Sequence, residues 1–465
     1  MSAINQQTSK IKVGLKPKLY LGVGFFALFF ANQSIPILAI PFYQMTLHVD
    51  PFLLGIALTI PIIVSTLLGP WVGHLSDNFE SKFGRRKPFI LLASWCCCVL
   101  FGLIWLVSPQ WQESTQLLYF TFFSILYYIA LIFLSVPMTS LSYEMSEDHH
   151  ERTEIMGFTS YFIKIGSLLY QWLFPLAQLT VFSSIFVGIK VIGWGIAILL
   201  IGLLGTIPAI YCQEKTYIKS TRVKASSVLH NLKTLKNNKP LRILLILTAL
   251  QLCGGAFSAS MDYYLIVYYL NEGNIVEGSI WKGVLSTSYA IAGIISIALI
   301  THLSPAYGKI NTLKFIYFLN AFGGIMKWFI FTPGSYWLLV FDAVFCAAIW
   351  AAMSMLIPSM LADLCDEDEL MHKERREGLF ASLHTWVVNF SMAIAFLLSG
   401  ISLTLIGFDA ANGQLQTSES ILLMRVTLSF GTFIFSLIPL WFLKDYKIDA
   451  NTCLATRQQL DQKQR

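Results

Sequence analysis

Three ionisable residues stand where ionisation is most expensive. Lys164, Asp262 and Asp342 each interrupt a long apolar run. A charge held among such residues marks a group that pairs, titrates or meets a ligand. Either aspartate could pair with Lys164 or serve as a proton site; for Asp342 a hydrogen bond at the outer mouth is an even alternative. Neutral groups on the same runs suit a hydroxyl-rich ligand, because they offer donors, acceptors and ring faces. They are Asn32, Gln33, Tyr263, Tyr264, Trp350, His384, Trp386 and Asn389. Trp386 and Asn389 are preferred for their mid-run placement, since Trp and Tyr elsewhere often serve as interface anchors.

Bond-breaking chemistry has no such constellation. Neither G-x-S-x-G nor H-E-x-x-H occurs, and no connection is long enough for a catalytic domain, so an enzyme is not expected. His149 and His150 are adjacent, which is not helical ligand spacing, and no metal site is expected. Cys96, Cys97 and Cys98 are consecutive on one apolar run and read as small packing residues.

The elements that must position these residues are membrane helices. The 465 residues are 55% hydrophobic and only 12% charged. A water-soluble globule carries about 25% charged residues, so the solvent here is lipid. With about 20 apolar residues per crossing, the chain offers twelve spans, from Leu19–Pro41 to Ser420–Leu443. The expected fold is an all-α membrane protein. Its fifth and sixth spans, Gly157–Leu179 and Ser183–Tyr211, are blurred by Pro175 and Gln178. With the N-terminus inside, 27 of the 32 Lys and Arg fall on alternate connections, the tail included, and Lys282 alone falls outside. Both termini are therefore expected in the cytoplasm, at a bacterial inner (plasma) membrane. The net charge of +6 is topogenic, and no nucleic-acid partner is implied. A monomer is expected. The polar N-terminus carries four lysines and no cleavage site, so the first span is retained.

The longest connection divides the chain into a six-helix bundle at 1–211, a basic linker at 212–242, a second bundle at 243–443 and a tail at 444–465. The halves repeat each other. Gly73-His-Leu-Ser-Asp77 is echoed by Thr301-His-Leu-Ser304, and the acidic-to-basic run 147–158 by 367–380. A duplicated bundle places a binding site between its halves near the bilayer midplane.

The segment Gly69-Pro-Trp-Val-Gly-His-Leu-Ser-Asp-Asn-Phe-Glu-Ser-Lys-Phe-Gly-Arg-Arg-Lys-Pro88 resembles the loop 2–3 signature of the glycoside–pentoside–hexuronide:cation symporters. These belong to the major facilitator superfamily and include the bacterial melibiose carriers. Leu361-Ala-Asp-Leu-Cys-Asp-Glu-Asp-Glu-Leu370 with Arg375-Arg-Glu-Gly378 resembles their loop 10–11. The resemblance implies two six-helix bundles that carry a small polar solute, such as a glycoside, by alternating access. Asp77, Arg85 and Arg86, with Asp363, Asp366, Glu369, Arg375 and Arg376, are then expected to form a cytoplasmic gate of separable charge pairs. It also places Lys190, Lys327 and Arg425 at the periphery, snorkelling to an interface. Glu144 is expected to pair with Arg152.

The family's acidic positions on helices 2 and 4 fall here on Ser65, Gly69 and Ser135, and its helix 11 lysine on Asn389. All are uncharged. Ser65 and Ser135 remain coupling candidates, but without a carboxylate a sodium ion would bind weakly. Proton coupling through Asp262 or Asp342, or none, stays open, and no other cofactor is implied. A non-transporting sensor on the same scaffold is the alternative.

Overall fold

The computed structural model describes residues 13–79, 81–145, 149–212, 238–372, 377–409 and 416–446, with isolated positions in the tail. Among the described residues all regular structure is helical. The rods are α1 (Leu15–Thr46), α2 (Pro51–Asn78), α3 (Lys87–Ile104), α4 (Glu113–Glu144), α5 (149–177), α6 (Ile185–Tyr211), α7 (Lys239–Leu270), α8 (Ile275–Tyr307), α9 (Lys309–Ile330), α10 (336–372), α11 (Glu377–Leu405) and α12 (Ser418–Phe442). Eleven of them are long and apolar enough to cross a membrane. The exception, α5, starts at His149 rather than Gly157, and its polar first turns with Lys164 dilute it. A 3-10 turn at Tyr170–Trp172 carries it on to Ala177. Most of the linker, 213–237, lies outside the described residues.

Several rods widen where the backbone lacks donors or side-chain bulk. In α1, Pro36 and Pro41 remove two N–H groups, and Ile40–Thr46 adopts π-helical spacing. In α7, π segments at Leu250–Gly255 and Leu265–Leu270 bracket Asp262. Twelve successive rods return the chain to its starting side, so both ends lie on one face, called here the terminal face. The opposite one is the far face.

The internal repeat is written in the far-face turns. Among the described residues, His48 and Glu272 are the non-glycine residues with left-handed φ, at 59° and 50°. They stand 224 positions apart, as do the helix-capping Asp50 and Asn274. Val49 N donates to Tyr43 O, and Gly273 N to Val267 O, each at 2.9 Å and again displaced by 224.

Buried side chains of α1–α6 form one core, and those of α7–α12 two more, the last of which takes in Met45. Glycines set the closest approaches. Trp105 lies on Gly193 and Trp194 on Gly102, so α3 and α6 interlock ring on backbone. Between the halves, α2 and α11 form the most extensive seam. Thr59 Oγ1 donates to Ala393 O at 2.9 Å. Gly400 lies so close to Pro51 that a Cβ would come within 2.6 Å of its carbonyl. Trp172 Nε1 donates to Thr287 Oγ1 at 3.0 Å, joining α5 to α8. Tyr264 OH donates to Gln44 Oε1, joining α7 to α1. These crossings all lie toward the far face.

A Gly400→Leu change is expected to wedge this seam open. Overpacking costs about 1–3 kcal/mol, so the purified variant should unfold at a lower temperature than the parent in the same detergent.

Candidate substrate site and charge network

Four rods carry the expected ligand contacts to a shared depth. Measured from the far ends, Gln33 lies 13 residues from Thr46, Lys164 13 from Ala177, Trp350 14 from Tyr336 and Asn389 16 from Leu405. At 1.5 Å per residue this is about 20–24 Å in. Asn32 and Gln33 are exposed although they sit mid-helix, with Asn32 Nδ2 held by Leu28 O at 2.8 Å. Asn389 is one turn from Ala393, on the α11 face that meets α2. Trp386 stacks edge-on with Phe390, and His384 Nε2 is buried without a hydrogen-bond partner among the described residues. Lys164 is half-buried and has no acidic partner there. Toward the far face this level is shut by the Thr59, Trp172 and Tyr264 contacts.

Other expected contacts are placed elsewhere. Tyr263 is buried and hydrogen-bonds Ser279 at 2.9 Å, so it is a packing residue between α7 and α8. Tyr264 closes on Gln44. Ser65 donates to Ile62 O at 2.9 Å and Ser135 to Ile132 O at 3.5 Å, each satisfied by its own helix.

Neither aspartate reaches Lys164. Asp262 takes an ion pair from Lys282 at 2.6 Å, with side chains 12% and 17% exposed. Lys282 is therefore part of α8, not of an outside connection. Asp342 is wholly buried, and its Oδ2 accepts from Lys327 at 2.6 Å and Tyr289 at 2.8 Å. Its Oδ1 has no hydrogen-bond partner among the described residues. Lys327 is only 3% exposed and does not snorkel. A buried amine next to a buried carboxylate gains more from pairing than from stretching to a distant interface. Arg425 does not snorkel either, because its guanidinium lies 4.3 Å over Trp328 and 5.0 Å over Tyr269. Lys190 is half-buried.

These pairs had a readable signal. Asp262 and Lys282 stand eight residues before and seven after the short α7–α8 turn. Lys327 and Asp342 likewise flank the α9–α10 turn, where Gly334 adopts φ 85°. Opposite charges a few turns or less from a tight connection between antiparallel helices come within reach of each other. This holds even for Lys327 and Asp342, where one stands three residues before the turn and the other six after it.

The terminal-face gate is described in part. Arg86 is buried and reaches Ser76 Oγ at 3.5 Å. Asp363 pairs with Lys309, within its own half, and Arg85, Asp366 and Glu369 are also engaged. The side chain of Asp77, and Arg375 and Arg376 altogether, lie outside the described residues, as do the side chains of Glu144 and Arg152. Among the described residues no cluster of His, Cys, Asp and Glu could hold a metal ion.

The profile of the MFS/sugar transport protein family matches residues 20–450. The chain belongs to that family. It is a secondary transporter of small solutes, not an enzyme. This family member is 22% identical over 450 residues to the uncharacterized symporter YnaJ of Bacillus subtilis, covering 95% of this chain and 92% of the relative. It is 21% identical to the putative glycoside/cation symporter YagG of Escherichia coli, with 94% of each covered. With the isoprimeverose transporter of Lactiplantibacillus pentosus it shares 20% identity over 88% of this chain and 84% of the relative. Crystal structures confirm the fold of this transporter. A point mutant of the nucleoside transporter NupG aligns with a TM-score of 0.66 at 14% identity, over 92% of this chain and 99% of NupG. A bacterial homologue of the lysosomal transporter Spinster, inward-facing, aligns at 0.62 and 13%, over 96% and 97%.

Removing Lys327 alone strands a buried carboxylate. Lys327→Ala is expected to lose about 3–5 kcal/mol, whereas Lys327→Met with Asp342→Leu should be near neutral. Thermal unfolding of the two purified variants separates these outcomes.

Proposed function

We propose that this transporter carries a glycoside-like solute across the plasma membrane, the inner membrane in bacteria, with both termini in the cytoplasm and as a monomer. Halves 1–211 and 243–443, joined by the linker 212–242 and followed by the tail 444–465, rock about a site at the shared depth. Asn32, Gln33, Trp350, His384, Trp386 and Asn389 supply hydrogen bonds and ring faces to the sugar. Lys164 meets an anionic group on it. The bias of 27 of 32 basic residues toward one side supports the orientation. In that orientation the closed far face is the outer one. Two relatives bear the names glycoside/cation symporter and isoprimeverose transporter, which supports a sugar-like substrate.

We infer further that the coupling ion is a proton, handled by the C-terminal half. One observation carries this reading. Ser65 and Ser135 bring no negative charge to α2 and α4, while two carboxylates and two amines gather on α7–α10. A proton site must exchange with water. Asp262, the more exposed of the two aspartates, is the proton acceptor, and Lys282 is the counter-charge that it releases when protonated. Asp342, sealed against Lys327 and Tyr289, anchors the bundle.

The test is uptake of labelled glycosides and uronides into proteoliposomes, with pH and sodium gradients imposed separately. Inward proton gradients should drive accumulation. Asp262→Asn should abolish accumulation above equilibrium and still exchange internal for external solute. Accumulation driven by sodium, or full proton-driven accumulation by the variant, overturns the assignment.

A further inference from the structure

A second site lies at the terminal face, away from the solute pathway. The first turns of α7 and the end of α12 enclose a cavity of about 280 Å³ lined by Lys239, Arg242, Ile243, Ile246, Trp441, Phe442, Lys444 and Asp445. Its composition is graded with depth. Lys239, Arg242, Lys444 and Asp445 stand at the rim, where the chain enters and leaves the bundle. Ile246 lies one helical turn deeper than Arg242, and Trp441 one turn deeper than Lys444. Ile246 and Trp441 are both exposed, Trp441 strongly so. Cations above and an apolar floor below, in one cleft, match a molecule with an anionic head and a hydrocarbon tail.

The charges are unbalanced. Lys239 pairs with Asp445 at 2.7 Å in an exposed contact. Arg242 and Lys444 have no acidic partner among the described residues, although Asp445 is close by. An excess of cations over a single carboxylate attracts a phosphodiester. Basic pockets between membrane helices are suited to anionic headgroups, and an arginine fork fits phosphate geometry. A soluble phosphate compound would use the rim and leave Ile246 and Trp441 facing acyl chains. A phosphatidylcholine would use the floor, but its choline would meet cations. Only an anionic phospholipid satisfies both levels.

We propose that the α7–α12 cleft is a binding site for one anionic phospholipid of the leaflet at the terminal face. Its phosphate is held by Arg242 and Lys444, and one acyl chain lies along Ile246 and Trp441. The lipid would then tether the first helix of the second half to the last, at the position where the linker enters.

Native mass spectrometry of the delipidated full chain in detergent tests this, with dioleoyl phosphatidylglycerol, dioleoyl phosphatidylcholine and inorganic phosphate as probes. One phosphatidylglycerol should be retained in preference to phosphatidylcholine. Each of Arg242→Gln and Lys444→Gln should weaken it about fivefold, the effect of one surface cation on an anionic lipid. Asp445→Asn should strengthen it, an opposite change that a folding defect cannot mimic. Lys82→Gln, an exposed loop cation elsewhere, should leave it unchanged. Equal retention of both lipids, or no effect of Arg242→Gln and Lys444→Gln, overturns the proposal. Displacement by inorganic phosphate at equal concentration would show a free-anion site instead, and overturns it too.

Discussion

Hydrocarbon offers no hydrogen-bond partner, and the architecture follows from that single constraint. Each backbone amide must be satisfied within its own rod, so the described residues form helices joined by short turns. Hydroxyls obey the same rule. Thr66, Ser94, Thr139, Thr248, Ser258, Thr287 and Thr432 each donate to a carbonyl one turn back on the same helix. A hydroxyl held in this way keeps its oxygen lone pairs but brings no charge, so it cannot compensate a sodium ion as a carboxylate does. Ser65 and Ser135 fall in this class, at positions where the resemblance to cation symporters leads to the expectation of acids.

Charges are governed by the same constraint. An amine or carboxylate buried alone costs several kcal/mol, so the interior of the second half holds them in pairs. Lys282 meets Asp262, and Lys327 meets Asp342, each pair formed across a tight far-face turn. Arg425, without a carboxylate, is held between two aromatic faces and the Trp328 carbonyl at 2.8 Å. The periphery is not where long basic chains must go. They go where the interior already supplies a partner.

How much of this is legible in the sequence depends on whether the signal is local. The spans, the topogenic bias and the duplicated loops are written along the chain, and eleven of twelve spans reappear as apolar rods. The site residues divide differently. Asn32, Gln33, Lys164, Trp350 and Asn389 share a depth because depth is a simple count along a helix. Tyr263 packs between α7 and α8 because helix rotation, which a span's hydropathy does not encode, turns it onto Ser279. Lys327 is misplaced at an interface when each charge is weighed alone. Its partner lies on the next helix, and only counting both helices from their shared turn reveals the match. Asp363 is likewise expected in a gate between halves, and one of its partners is Lys309 of its own half.

The two halves, although copies in their turns, have diverged in how they carry charge. The second half has two neutralised pairs near the far face, and the first has Lys164 at mid-depth with no acid beside it among the described residues. On the proposed reading this asymmetry divides the labour. A group that gives up a proton inside the bundle needs a counter-charge for its ionised form; Lys282 supplies that to Asp262. A group that must hold a solute benefits from the opposite arrangement. With no partner to displace, Lys164 gives its full charge to an incoming anion, and the site is least comfortable when empty. Because a bare cation in the cleft resists closure around nothing, occupancy itself would favour the halves coming together. A residue that is costly in the empty site is then the one that links solute binding to the swing of the bundles.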